Sequence, residues 1–118
     1  MPPNDLKTRT KVFGIAIIRL TESLPKTRTA DVIAKQLLRC GTSIGANYRA
    51  ACRARSRADF IAKMGIVEEE TDEAMYWLEI LAELNLIGED QTRVLYDEAN
   101  ELLAITVASI KTAKRNRT

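Results

Sequence analysis

Sixteen carboxylates, eighteen lysines and arginines, two cysteines and no histidine make up the chemistry-bearing inventory of this 118-residue chain. The missing imidazole removes the commonest general base, so Ser43, Ser56, Cys40 and Cys52 have no such partner to activate them as nucleophiles. The densest acidic run, Glu68 to Glu73 (EEETDE), invites a carboxylate-metal reading. On a helical wheel, however, Glu68, Asp72, Glu79 and Glu83 share an outward face, while Glu70 and Glu73 flank the core on the other side, so the acids diverge. Bundle proteins that hold two metals also draw on Glu-x-x-His pairs, which a chain without histidine cannot supply. The expectation is a protein with no catalytic residue, no metal site and no cofactor.

The cations are more informative. Arg39, Arg49 and Arg53 fall within one arc of a helical wheel, with Thr42, Ala46 and Ala50 between them, and Arg55 and Arg57 follow at once. The guanidinium is a planar fork of donors that matches phosphate or carboxylate, so such a stripe suits a nucleic-acid backbone or an acidic protein face. Cations near a helix C-terminus are stabilised by the macrodipole, which accounts for Arg53, Arg55, Lys111 and Lys114. The same dipole disfavours Lys7, Arg9, Lys11 and Arg57, which stand in first turns and therefore ask for another reason.

Four helices position these residues. Leu6, Thr10, Phe13, Ile17 and Leu20 form an apolar stripe from about Asp5 to Ser23, ended by Leu24-Pro25. Thr27 or Thr29 caps a second helix, with Ile33, Leu37, Cys40, Ile44, Tyr48 and Ala51 inward, running to about Ala54. Ser56 with Asp59 opens a long third helix in the manner of a capping box, and Phe60, Met64, Val67, Thr71, Ala74, Leu78 and Leu81 form its stripe. After a turn from Asn85 to Asp90 that contains Gly88, the fourth helix turns Leu95, Ala99, Leu102, Thr106, Ser109 and Ala113 inward. Gly41 and Gly45, four apart beside the second stripe, permit close approach of a neighbouring helix. Short connections make sequential helices antiparallel neighbours, so the expected fold is all-α, an antiparallel up-down-up-down four-helix bundle, as one domain over residues 1–118.

That topology brings the start of helix 1, the corner between helices 2 and 3 and the end of helix 4 to one end. Twelve of the eighteen cations gather there: Lys7, Arg9, Lys11, Arg49, Arg53, Arg55, Arg57, Lys63, Lys111, Lys114, Arg115 and Arg117, against Asp5 and Asp59. A formal net charge of +2 thus conceals a dipole, with the compensating acids further along helix 3. Beside the core stripe of that helix, Ile66, Trp77, Ile80 and Leu84 make a second apolar arc, the mark of a self-association surface anchored on Trp77. Cys40 and Cys52, twelve residues apart on one helix, lie about 18 Å apart, too far for a bridge, and read as small buried thiols of a reducing compartment. With no apolar run of membrane length and no signal-like start in MPPNDLKTRTK, the expected location is the cytoplasm, with no membrane partner.

The block from Ser43 to Leu81, SIGANYRAACRARSRADFIAKMGIVEEETDEAMYWLEIL, resembles the bacterial four-helix bundle proteins related to the ribosomal-RNA intervening-sequence proteins. The same family includes the accessory variability determinant of diversity-generating retroelements. The matching positions are Ser43 to Asn47, Arg55-Ser56 before Phe60, and Glu73 with Leu78-Glu79-Ile80. Gly45 stands where that family often has Pro, and Ala50 where an acid is frequent, which leaves helix 2 more basic here. The resemblance implies a barrel-like homopentamer with basic surfaces for nucleic acid and, in retroelements, a reverse-transcriptase partner. Residues and resemblance together lead to the expectation of a non-enzymatic, oligomeric nucleic-acid-binding protein. Its phosphate contacts would be Arg39, Arg49, Arg53, Arg55, Arg57, Lys63, Lys114 and Arg115, and its subunit interface Ile66, Trp77, Ile80 and Leu84. With Tyr48 the one aromatic near the Arg stripe, backbone rather than base recognition is expected, and a structural adaptor without nucleic acid is the competing reading.

Overall fold

The computed structural model describes residues 5–116. Four helices account for nearly all of them: α1 (Asp5–Glu22), α2 (Arg28–Cys52), α3 (Arg57–Leu84) and α4 (Glu89–Arg115). Each boundary has a local cause. Thr27, in extended conformation, accepts a hydrogen bond from the Ala30 amide at 3.2 Å and so caps α2. Ser56 does the same for α3 with the Asp59 amide at 3.0 Å, while the Asp59 carboxylate accepts from the Arg55 amide at 3.1 Å, one residue upstream of the usual capping-box partner. Asn85 ends α3 in the left-handed region, at φ 54° and ψ 37°, one of the few residues that enter it at small cost.

The helices pack in the cyclic order α1, α2, α3, α4 into an elongated bundle of 52 × 23 × 20 Å. The predicted stripes form its axis: Phe13, Ile17, Leu37, Ile44, Met64, Leu78, Leu81 and Leu102 are all at most 1% exposed. Met75 and Ile110 join them. Thr10, Thr71 and Thr106 are buried too, and each hydroxyl donates to the carbonyl one turn earlier, on Leu6, Val67 and Leu102, at 2.7 to 2.8 Å. The core therefore holds polar atoms without leaving any unsatisfied.

The ring of helices is uneven. α1 is the shortest and packs far more closely on α2 than on α4. Its tight seam with α2 is built on glycine, since a methyl at Gly14 would stand 3.5 Å from the Gly41 carbonyl oxygen and one at Gly41 would lie 2.9 Å from the branched side chain of Ile17. The expected close approach at Gly41 and Gly45 is thus realised, with Gly45 set against the Thr10 backbone. On the loosely covered side, Val12 and Ile15 of α1 are 57 and 40% exposed, and Val94 of α4 is 67% exposed nearby in the same groove.

Two expectations on burial are corrected. Cys40 is buried but Cys52 is exposed, because the helix turns it out of the core one residue after Ala51. The second arc of α3 is only partly exposed: Trp77 and Ile80 pack against the core, leaving Ile66 and Leu84 at 43 and 48%, beside Tyr76 at 56%.

Candidate nucleic-acid interface

The expected phosphate contacts separate into three groups once their surroundings are seen. Arg39 is about half exposed, at the surface of the α2/α3 seam. Its guanidinium bridges to α3, with Nη2 donating to Glu73 Oε2 at 2.5 Å and Nη1 to Glu70 Oε2 at 3.1 Å. The Trp77 indole N–H donates to the same Glu73 oxygen at 3.3 Å, fixing the carboxylate from the other side. These contacts, Arg39 first, hold the Glu73 carboxyl below the usual range and raise Arg39 further above its already high value. Two carboxylates therefore compete with any phosphate for the Arg39 donors, which sets this residue apart from the unpaired cations below. The acids fall into the two expected sets, and Glu70 and Glu73, the pair that flanks the core, share this one cation.

Lys63 is likewise paired. Its ammonium lies 2.6 Å from Asp59 Oδ1, one turn back on α3, and this pair lowers the Asp59 pKa. Arg9, set among the unexplained first-turn cations, has a structural account. It forms a two-pronged bond to Glu98 at 2.6 and 3.0 Å and reaches Glu101 at 3.3 Å, tying α1 to α4.

The second group converges. Arg49 and Arg53 line a groove between α1 and α2, and Lys7 and Lys11 line it from α1. The groove has a volume of about 790 Å³. Its floor is made of small residues, Gly14, Gly45 and Ala46, and its α1 rim carries Val12, Ile15 and Ile18. Among the described residues no carboxylate lines it, and none of the four cations makes an ion pair. Four positive charges thus face one concavity without compensation, a source of strongly positive potential. Ten residues along α2 from Arg39 turn the helix about 80° short of three full turns, which carries Arg49 from the α3 seam to the α1 seam.

The third group lies at the same end. Arg55 and Arg57 are exposed at the corner between α2 and α3, and Lys114 and Arg115 are exposed on the last turn of α4. Arg117 falls outside the described residues. Phe60 of α3 sits with Thr112 and Ala113 of α4 and the following Asn116 around a shared hollow, which brings the corner and the α4 terminus together as the topology demands. Near the groove, burial and the adjoining Cys52 push the Tyr48 hydroxyl up to about 12.

Sequence reasoning listed Lys7 and Lys11 at the basic end without placing them on the site. The unused signal was the helix pairing, because an antiparallel α1 sets residues 7 and 11 opposite residues 49 and 53. It also missed the apolar rim, although Val12, Ile15 and Ile18 recur every three residues beside the Phe13, Ile17, Leu20 stripe. That is the same double-arc pattern noticed on α3.

No helix among the described residues is long and apolar enough to cross a membrane. Residues 4–108 match the model of the family described as 23S rRNA-intervening sequence protein. Among solved structures the chain is similar to a protein of unknown function from the S23 ribosomal protein family of Bacteroides thetaiotaomicron, solved at 1.70 Å. The two share 38% identity with a TM-score of 0.84, over 90% of this chain and 98% of that one. Comparison with curated proteins finds no match. The match over most of the chain, including the groove, the α2 to α3 corner and the Arg39 clamp, places it among its relatives: the chain belongs to the 23S rRNA-intervening sequence protein family.

Proposed function

We propose that this chain is a non-enzymatic, oligomeric nucleic-acid-binding protein that holds RNA or DNA by its phosphates. The observation that carries the reading is the convergence of Lys7, Lys11, Arg49 and Arg53 on a groove without carboxylates. Arg55 and Arg57 extend that surface round the corner, and Lys114 and Arg115 extend it along α4. The family takes its name from intervening sequences of 23S rRNA, which makes RNA the first polyanion to test. Self-association would use the outer face of α3, where Ile66 and Leu84 are exposed beside Trp77 and Ile80, and would multiply the basic surface.

Phosphate neutralisation has a signature in salt. If the four groove cations each neutralise one phosphate, log K falls with log salt at a slope of about −2.8 (single strand) to −3.6 (duplex), roughly a 50- to 150-fold loss of affinity between 50 and 200 mM. Titrating the protein into a labelled RNA at several salt concentrations should show that slope. Binding that is absent at 50 mM, or that is insensitive to salt, would overturn the reading and favour a protein-docking adaptor, whose specific support is the exposed apolar rim of α1.

A further inference from the structure

The groove between α1 and α2 differs from a flat basic patch in three ways: it is concave, it is floored by glycine and alanine, and one of its rims is aliphatic. We propose that it is a site for a single strand of nucleic acid, with phosphates on the cations and unpaired bases against the α1 rim, and that it discriminates against a duplex. The inference deepens the function proposed above and rests on it.

Width comes first. Packed helices stand about 8–10 Å apart axis to axis. The pair α1 and α2 belongs at the close end of that range because Gly14, Gly41 and Gly45 face the seam. A duplex is a rigid cylinder broader than that spacing and would rest on the two rims, whereas one flexible strand can lie along the furrow and reach the cations on both walls. DNA-reading helical folds solve the opposite problem by sending a protruding helix into the major groove, and here the surface is concave.

Charge spacing agrees. Lys7 and Lys11 are four residues apart, as are Arg49 and Arg53, so each pair is separated by about 6 Å along its helix axis. That is comparable to the distance between successive phosphates of an extended strand. Cations stand on both walls, so the backbone is held from two sides. The cavity of about 790 Å³ is in the range of sites that enclose small organic ligands, enough for a short stretch of one strand.

The rim supplies the third argument. Val12, Ile15 and Ile18 are 57, 40 and 39% exposed along the groove edge next to Lys11. Apolar surface beside phosphate-binding cations has no use for a duplex, whose base faces are stacked away. The faces of unpaired bases are available, and contact with them is sequence-tolerant. An aliphatic rim gives less than an aromatic platform, so strand selection would be clear while base preference stays weak.

The test compares a labelled 12-nucleotide single-stranded RNA, chosen to be unstructured, with a duplex of the same length at 50 mM salt. The full chain is used, and so is its Ala46→Trp variant. Ala46 is exposed on the groove floor, so the indole fills the groove without entering the core. The expected result is single-strand binding at least tenfold tighter than duplex binding, a tenfold or greater loss of it in Ala46→Trp, and duplex binding changed less than twofold. Equal affinity for both forms in the parent, or unchanged single-strand binding in a folded Ala46→Trp, would overturn the inference while leaving the phosphate-binding reading standing. No binding of either form would overturn both. Should Ala46→Trp fail to fold, photocrosslinking with 4-thiouridine RNA decides. Crosslinks at residues 7 to 18 and 42 to 53 support the groove, and crosslinks confined to residues 54 to 57 and 111 to 116 overturn it. Polyglutamate of equal charge displacing the RNA equally well would also overturn it, since the groove would then be a site for acidic protein.

Discussion

Two stretches of the same helix carry arginine, and they end in opposite electrostatic states. At the α2/α3 seam, Arg39 is locked between Glu70 and Glu73, with Trp77 bracing the second carboxylate. At the α1/α2 groove, Arg49 and Arg53 meet Lys7 and Lys11 and no acid. The first arrangement spends its charge inside the fold; the second leaves it available to an external anion. What separates them is the neighbour that the helix rotation selects. α3 offers its core-flanking acids to one face of α2, and α1 offers lysines and an aliphatic ridge to the other. Stability and binding are thereby assigned to different seams of one small bundle, which makes the two separable by substitution.

The largest effect on the fold should come at the backbone contact beneath the groove. In Gly41→Ala the new methyl would meet Ile17 2.9 Å away, near its branched and therefore stiff Cβ. Overpacking should outweigh the gain in helix propensity by about 1–2 kcal/mol and lower the melting temperature by several degrees. Gly65→Ala sharpens the contrast, because nothing lies within 4 Å of a methyl there and the helix should gain about 0.5–1 kcal/mol. Thermal melts of both variants check the pair, and a stabilised Gly41→Ala would break the account of a tight α1/α2 seam.

Releasing the clamp comes next. Glu70→Gln with Glu73→Gln should free the Arg39 donors and convert the closed seam into a second anion-binding surface. Affinity for RNA at low salt should rise by about two- to fivefold, the worth of an exposed charge pair, while the melting temperature falls. No change in affinity would mean that the carboxylates do not limit Arg39.

Acid should loosen the same seam. Glu73 has its folded-state pKa lowered from 4.5, chiefly by Arg39, and Asp59 has its own lowered from 3.8, chiefly by Lys63. A carboxylate depressed on folding contributes stability that is present above the unfolded pKa and is lost as pH falls through the folded one. The melting temperature should therefore decline below about pH 4.5, and less steeply in Glu73→Gln, which starts lower at neutral pH. An identical acid limb in the two proteins would remove Glu73 from the account.

The smallest effect is chemical. Cys40 is fully buried, which pushes its thiol up to about 12, while Cys52 is exposed at the end of α2. A thiol reagent should titrate one group per folded chain and a second only after denaturation. Two rapidly reacting thiols would contradict the packing of α2 against the core.

The helices, their stripes and their caps were legible because each rests on local pattern. The Ser56 and Thr27 caps, the Phe13 to Leu20 stripe and the glycine contact at Gly41 all follow from spacing along one helix. The fate of individual charges was not, since a wheel drawn for α2 alone cannot show that α3 brings Glu70 and Glu73 to Arg39. The exposure of Cys52 runs against the general tendency of free thiols to be buried, because one step along the helix from the inward Ala51 turns about 100° away from the core. The α1 rim went unseen because its three residues lie beside a stripe that already explained the helix.

The central claim is that the α1/α2 groove, and not the α2/α3 seam, engages nucleic acid, and the salt slope of binding measures it directly. Replacing Lys7, Lys11, Arg49 and Arg53 by Ala should leave the helix content unchanged and make the slope for RNA shallower by about three, with affinity at 50 mM lower by two orders of magnitude or so. Arg39→Ala should lower the melting temperature yet keep slope and affinity within about twofold of the parent. A folded quadruple variant that binds with the parent's slope, or an Arg39→Ala protein that is folded and no longer binds, would contradict the account.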